Sequence, residues 1–185
     1  MPITVAIVED NPDFRLGTSY VLKSSPECAV VGEYVAAEDL IDGFDEIVPD
    51  VVLMDIGLPG ISGIEATALL KRQHPSVQII MLTVYEDDDN VFRAICAGAS
   101  GYVSKRVPSV KLIEAVEDAF NGGTPISPHV AARVLQMFRD RMPPPTENGM
   151  EMAAATFLTT FSTIGRVSWL AVISKNTNSS APPSS

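Results

Sequence analysis

The stretch VVLMDIGLPGISGIE, residues 51–65, decides the fold because it carries an apolar run straight into an aspartate and then into a turn. The run from Val51 to Met54 is typical of a strand in a parallel sheet, which helices cover on both faces. Asp55 ends the strand, since glycine and proline soon follow it. A buried charge without a partner is heavily penalised, so we expect Asp55 at a solvated strand end or beside a cation or hydrogen-bond donor.

Apolar runs alternate with helical patterns over residues 1–121. Strands are predicted at 3–8, 28–34, 50–55, 77–83 and 101–105. Helices are predicted at 12–24, 36–47, 62–74, 87–97 and 109–120. Strands that alternate with helices predict a doubly wound α/β fold: a five-stranded parallel sheet with helices on both faces, flavodoxin-like, in the strand order 2-1-3-4-5.

Acidic side chains follow two of the predicted strands. Glu9 and Asp10 come after the first strand, and Asp55 ends the third. In the order 2-1-3-4-5 these two strands are neighbours, so the three carboxylates converge at the edge where such sheets bind ligands. Three carboxylates so close cannot all stay ionised without a cation. Magnesium, a hard ion that prefers oxygen ligands, resolves this conflict.

The fourth and fifth strands add a hydroxyl and a positive charge at the same edge. Thr83 ends the fourth strand, and the fifth runs into Lys105. This pair suits a phosphoryl group held between them, where catalysis consists mostly of positioning and charge neutralisation. Asp55 is central, and we therefore predict that it is the nucleophile that forms an aspartyl phosphate.

Four segments resemble, in order and spacing, the receiver domain of two-component response regulators. They are IVEDNPDFR (7–15), LMDIGLPGISGIEA (53–66), MLTVYEDDD (81–89) and AGASGYVSKRVPSVKLIEAV (97–116). The segments around Asp55 and Lys105 are most similar to the NarL/FixJ subfamily, whose usual output is a LuxR-type helix-turn-helix.

The resemblance implies a Mg²⁺-dependent phosphoacceptor that is not a classical enzyme, although it would catalyse its own phosphorylation and dephosphorylation. It implies a sensor histidine kinase as the donor, and a homodimer or pairing with another response regulator as the output. Tyr102 occupies the position of the family's aromatic switch and would move inward on phosphorylation. The implied roles are metal binding by Glu9, Asp10, Asp55 and the Gly57 carbonyl, catalysis by Asp55, Thr83 and Lys105, phosphorylation of Asp55, and switching by Thr83 and Tyr102.

The C-terminal part departs from this pattern. We predict a receiver domain over 1–121, a linker helix over 122–142, and an atypical tail over 143–185. The tail holds two basic residues, Arg166 and Lys175, and resembles no helix-turn-helix. A degenerate output domain and a shifted reading frame both explain this change. The uncharged stretch 152–165 is shorter than the roughly twenty residues that span a bilayer, which argues against a membrane anchor.

Charge limits the partners. The net charge of −10 disfavours nonspecific binding to nucleic acid or to anionic membranes, because such binding needs clustered lysine and arginine. The start, MPITVAIVED, does not resemble a signal peptide, and we predict a cytoplasmic protein.

Two functions stay open. The chain is either a phosphoacceptor that signals through protein contacts and does not bind DNA alone, or a transcriptional regulator whose output comes from the tail or a partner chain.

Overall fold

Five strands and five helices alternate along the chain in a computed structural model that describes residues 1–84, 88–127, 130–132 and 135–136. The elements are β1 (Ile3–Val8), α1 (Pro12–Lys23), β2 (Cys28–Tyr34), α2 (Ala37–Ile47), β3 (Val51–Asp55), α3 (Gly63–Gln73), β4 (Gln78–Thr83), α4 (Asp88–Cys96), β5 (Gly101–Ser104) and α5 (Ser109–Phe120). The predicted boundaries agree with these to within about one residue.

The strands form one sheet in the order β2-β1-β3-β4-β5, and every neighbouring pair is parallel. This confirms the predicted doubly wound, flavodoxin-like fold. In the register, Val8 lies beside Met54, and Thr83 beside Ser104. The carboxyl ends of β1, β3, β4 and β5 therefore meet along one edge of the sheet.

Alternate residues of the strands feed two cores. Val5 and Ile7 of β1 face the core that α1 and α5 cover, whereas Ala6 and Val8 face the core that α2, α3 and α4 cover. The strands are apolar without interruption because both faces are buried, as parallel sheets require. Two of the helices begin at a polar side-chain cap. Asn11 caps α1 through its side chain, and Ser62 opens α3 with the predicted capping box.

The chain after α5 continues along β5. The backbone N–H of Tyr102 donates to the Pro125 carbonyl (2.8 Å), and Tyr102 and Ile126 form a parallel bridge. Val130 is fully buried in the core beneath α2, α3 and α4. The prediction of a linker helix over 122–142 is wrong for residues 123–127, which are not helical; Pro125 and Ile126 pair with Tyr102 of β5 instead.

Residues 130–132 and 135–136 are helical, and the rest of the predicted linker lies outside the described residues. The predicted tail, 143–185, also lies outside them. Within the part of the chain that the structure describes, every helix is too short or too polar to cross a membrane.

Candidate functional site

The acidic cluster forms where β1 and β3 end side by side. One carboxylate oxygen each from Glu9, Asp10 and Asp55 lies within 4.8 Å of the others. Glu9 is fully buried, Asp55 is nearly so, and Asp10 is exposed. The predicted convergence of three carboxylates at this edge is therefore present, and Asp10 leaves it open to solvent.

Lys105 reaches this cluster from the end of β5. Its Nζ lies 3.0 Å from Asp55 Oδ1 and 2.6 Å from Glu9 Oε2, and the side chain is only 8% exposed. The backbone fixes the start of the side chain, because Lys105 N–H donates to the Thr83 carbonyl (2.7 Å). The ammonium also lies 4.8 Å from the centre of the Phe14 ring, a favourable cation–π distance.

Arg15 of α1 and Asn11, in the turn before it, hold the acidic pair in place. Arg15 donates from Nη1 to the Glu9 carbonyl (2.6 Å) and to the Asp10 carbonyl (3.4 Å). Asn11 donates its backbone N–H to Glu9 Oε1 (3.3 Å), while its side chain caps α1. These roles of Asn11 and Arg15 were not predicted from the sequence. The capping preference of asparagine before Pro12 was the available signal.

The charges of the cluster do not balance. Three carboxylates face one ammonium, and burial raises the pKa of Glu9. Lys105 lowers that pKa and the nearby Asp55 charge raises it again. Glu9 Oε2 is buried and its contact within the described residues is the ion pair with Lys105, while Oε1 accepts from the Asn11 N–H. Carboxylate oxygens with excess negative charge are the donor set that a hard divalent cation prefers, and the described residues fit such an ion.

The other predicted site residues are Thr83, Gly57 and Tyr102. Thr83 is buried at the end of β4, where its carbonyl accepts from Lys105. Gly57 follows Asp55 at the mouth of the cluster, where a Cβ added to it would lie 3.9 Å from Asp55 Oδ2. Tyr102 is 1% exposed and packs in the core beneath α2, α3 and α4. The predicted inward movement of Tyr102 is therefore not available from this conformation, because the ring is already inside.

The sequence matches the family described as "Response regulator receiver domain" over residues 5–117. The chain belongs to this family. The chain is 34% identical over 137 residues to the transcriptional regulatory protein DegU of Brevibacillus brevis, a match that covers 74% of this chain and 58% of DegU. It is 36% identical over 141 residues to the response regulator GacA of Pseudomonas viridiflava, with 76% and 66% covered. The chain thus spans less than two thirds of the length of these relatives.

Solved structures agree with the family. The chain superposes on a LuxR-family two-component response regulator from Aurantimonas sp. SI85-9A1 with a TM-score of 0.69 and 30% identity, covering 74% of this chain and 98% of the other. It superposes on the response regulator ChrA of a heme-sensing two-component system with a TM-score of 0.63 and 30% identity, covering 86% and 76%. The resemblance to LuxR-type response regulators is confirmed.

The buried charge of Glu9 makes the metal-free receiver domain sensitive to pH. A carboxyl whose pKa is raised on folding stabilises the fold most below its ordinary pKa of 4.5, and this contribution is lost as the pH rises through the raised value. Above the raised pKa the ionised Glu9 therefore opposes folding. We expect Glu9→Gln to unfold at higher urea concentration than wild type in EDTA at neutral pH, with a smaller difference at mildly acidic pH.

Glu46→Gln is the matched control for this prediction, because it removes the same charge from an exposed position on α2. We expect it to leave the urea midpoint close to that of wild type. A Glu9→Gln variant that is less stable than wild type in EDTA at neutral pH would contradict the prediction.

Proposed function

We propose that this receiver domain accepts a phosphoryl group on Asp55 from a sensor histidine kinase, in a reaction that requires Mg²⁺. The observation that carries the proposal is the cluster at the sheet edge, with three carboxylates within 4.8 Å of one another and Lys105 3.0 Å from Asp55. A buried acid with a perturbed pKa beside specific charge partners is typical of a reactive site. Family membership supports the same function.

Asp55 supplies the nucleophile. One of its carboxylate oxygens attacks the phosphorus of the donor phosphohistidine, so that a P–O bond forms while the P–N bond breaks and its electron pair stays on the histidine nitrogen. Glu9, Asp10, Asp55 and the Gly57 carbonyl are the groups that would hold Mg²⁺. When bound, Mg²⁺ neutralises charge on the transferring phosphoryl group.

Thr83 and Lys105 receive the transferred group. The Thr83 hydroxyl lies at the end of β4 and donates a hydrogen bond to one phosphoryl oxygen. The Lys105 ammonium, which contacts Glu9 and Asp55 here, pairs with another phosphoryl oxygen once the aspartyl phosphate has formed. The same residues orient water for the slower loss of the phosphoryl group. The phosphorylated surface then pairs with a second copy or with another response regulator, in the cytoplasm where the kinase domain acts.

Phosphorylation by acetyl phosphate tests this proposal. The intact chain should gain the mass of one phosphoryl group in Mg²⁺ and none in EDTA, and peptide mapping should assign it to residues 51–65. Equal labelling with and without divalent cation would refute the metal dependence. Labelling confined to another peptide would refute the role of Asp55.

A second candidate function is transcriptional regulation by DNA binding, favoured by the name of the relative DegU. Sequence-specific DNA binding requires a helix or ribbon in the major groove and cations that contact phosphates. Residues 143–185 hold two basic residues, and the chain has a net charge of −10. We therefore expect the purified chain alone to give no sequence-selective gel shift, with or without acetyl phosphate. A salt-dependent, sequence-selective shift would favour the DNA-binding function instead.

A further inference from the structure

The loop between β3 and α3, residues 56–62, presents Gly57 to the acidic cluster and is fixed at its base. The Gly63 N–H donates to the Ile56 carbonyl (3.1 Å), which closes the loop. Ser62 and Glu65 form the capping box that starts α3. These contacts hold the base of the loop, but they do not reach its tip at Gly60 and Ile61.

The tip is held by a side chain from another element. Glu38, in the first turn of α2, accepts a hydrogen bond at Oε1 from the backbone N–H of Ile61 (2.9 Å). Gly60 has a positive φ of 78° and lies directly against the same carboxylate, where a side chain would collide with Oε1. The close approach therefore needs glycine at position 60 and an acceptor at position 38.

The Glu38 carboxylate is well suited to a stable hydrogen bond with the loop tip. Its position at the N-terminus of α2 favours a negative charge, because the backbone N–H groups of the first turn point toward it. The hydrogen bond from Ile61 holds the pKa of Glu38 below its usual range, so the side chain is ionised at neutral pH. A hydrogen bond to an ionised acceptor is stronger than one between neutral groups.

One oxygen of this carboxylate makes no hydrogen bond within the described part of the chain. This oxygen, Glu38 Oε2, is buried. Such groups carry a desolvation penalty and are rare in folded proteins. Glu38 is also outside the acidic cluster of Glu9, Asp10 and Asp55. Because Glu38 is present in spite of this desolvation penalty, we infer that its contact with the loop tip supports the acidic cluster beside Gly57.

We propose that Glu38 is a positioning residue of the phosphorylation site, which fixes the loop tip and thereby aims the Gly57 carbonyl at the metal. This inference rests on the proposed function. Residues that orient the direct metal ligands typically weaken metal affinity about 10-fold to 100-fold when they are substituted. Glu38 acts through the backbone and touches neither the metal nor the phosphoryl group.

The test is a Mg²⁺ titration of the unphosphorylated 185-residue chain, followed by its amide NMR signals. We expect Glu38→Ala to weaken Mg²⁺ binding about 10-fold, at the lower end of the range for supporting residues. Glu38→Gln retains an oxygen acceptor and should stay near wild type. Asp39→Ala is the matched control, because it removes the same charge from an exposed neighbour on the same turn and should leave the affinity unchanged.

The readouts separate this role from a purely structural one. Unfolding in EDTA reports stability alone, whereas the Mg²⁺ dissociation constant reports the geometry of the site. Equal Mg²⁺ affinities for Glu38→Ala and Asp39→Ala would overturn the inference. If Glu38→Ala does not fold, Glu38→Asp decides, because its shorter side chain keeps the charge but does not reach Ile61. Wild-type Mg²⁺ affinity in that variant would overturn the inference too. A wild-type chain that binds no Mg²⁺ would instead overturn the proposed function itself.

Discussion

Asp55→Asn is expected to reduce phosphorylation by acetyl phosphate to background. The amide side chain has nearly the same shape as the carboxylate but lacks the anionic oxygen that attacks phosphorus. The substitution also removes one of three crowded negative groups, so the fold should remain intact. Intact-mass spectrometry in Mg²⁺ measures the labelled fraction, and a urea unfolding curve establishes that the variant is folded.

The control for this experiment is Asp13→Asn, an exposed aspartate in the first turn of α1. It changes the same functional group a short distance along the chain from the acidic pair, and we expect labelling equal to that of wild type. Undiminished labelling of Asp55→Asn would show that another residue accepts the phosphoryl group. Loss of labelling in both variants would show that general charge, not the nucleophile at position 55, controls the reaction.

Gly63→Val is expected to destabilise the fold by about 3 kcal/mol or more, the upper range for overpacked sites. Gly63 is the first residue of α3 and lies directly against the end of β3. A Cβ at this position would overlap the Asp55 carbonyl oxygen and lie 2.9 Å from Met54 Cγ. Neither backbone nor a buried side chain can move away cheaply in a densely packed interior. Urea denaturation measures the change in free energy of unfolding.

Gly17→Ala is the matched control for the glycine experiment. Gly17 is an exposed residue in the middle of α1, and a Cβ there would meet no atom within 4 Å. Alanine is favoured over glycine within helices by about 1 kcal/mol, so we expect this variant to be more stable than wild type. A Gly63→Val variant with wild-type stability would mean that α3 can shift away from β3 and that the phosphoacceptor is less rigidly held.

The elements of the fold were predictable because local signals coincide with the tertiary structure. The apolar runs at β3 and β4 have the length of buried strands. The capping box of Ser62 and Glu65 predicts the start of α3. The site was predictable for the same reason: Asp55 and Thr83 end strands, and parallel strands bring their ends to one edge. The prediction needed only the strand order.

Long-range contacts were not predictable. Glu38 and Ile61 are 23 residues apart, and no periodicity relates a helix start to a loop tip. Lys105 was expected at the same edge as the acidic residues, but its short contact with Glu9 depends on side-chain positions that strand order does not predict. The segment 123–127 was assigned to the linker helix, whereas Pro125 and Ile126 pair with Tyr102 of β5, a contact that the local sequence does not indicate.

Tyr102 lies on β5, the strand at one edge of the sheet, and pairs with Ile126 along the outer side of that strand. An exposed edge offers unpaired N–H and C=O groups to which a strand from another chain can add. Here the outward N–H of Tyr102 is already bound to the Pro125 carbonyl, and Pro125 has no N–H of its own to offer. Strand addition at this position would first have to displace the chain that follows α5. While this contact is in place, a second copy that approaches Tyr102 meets side chains instead of a free backbone N–H, and side chains specify a partner more narrowly than backbone pairing does.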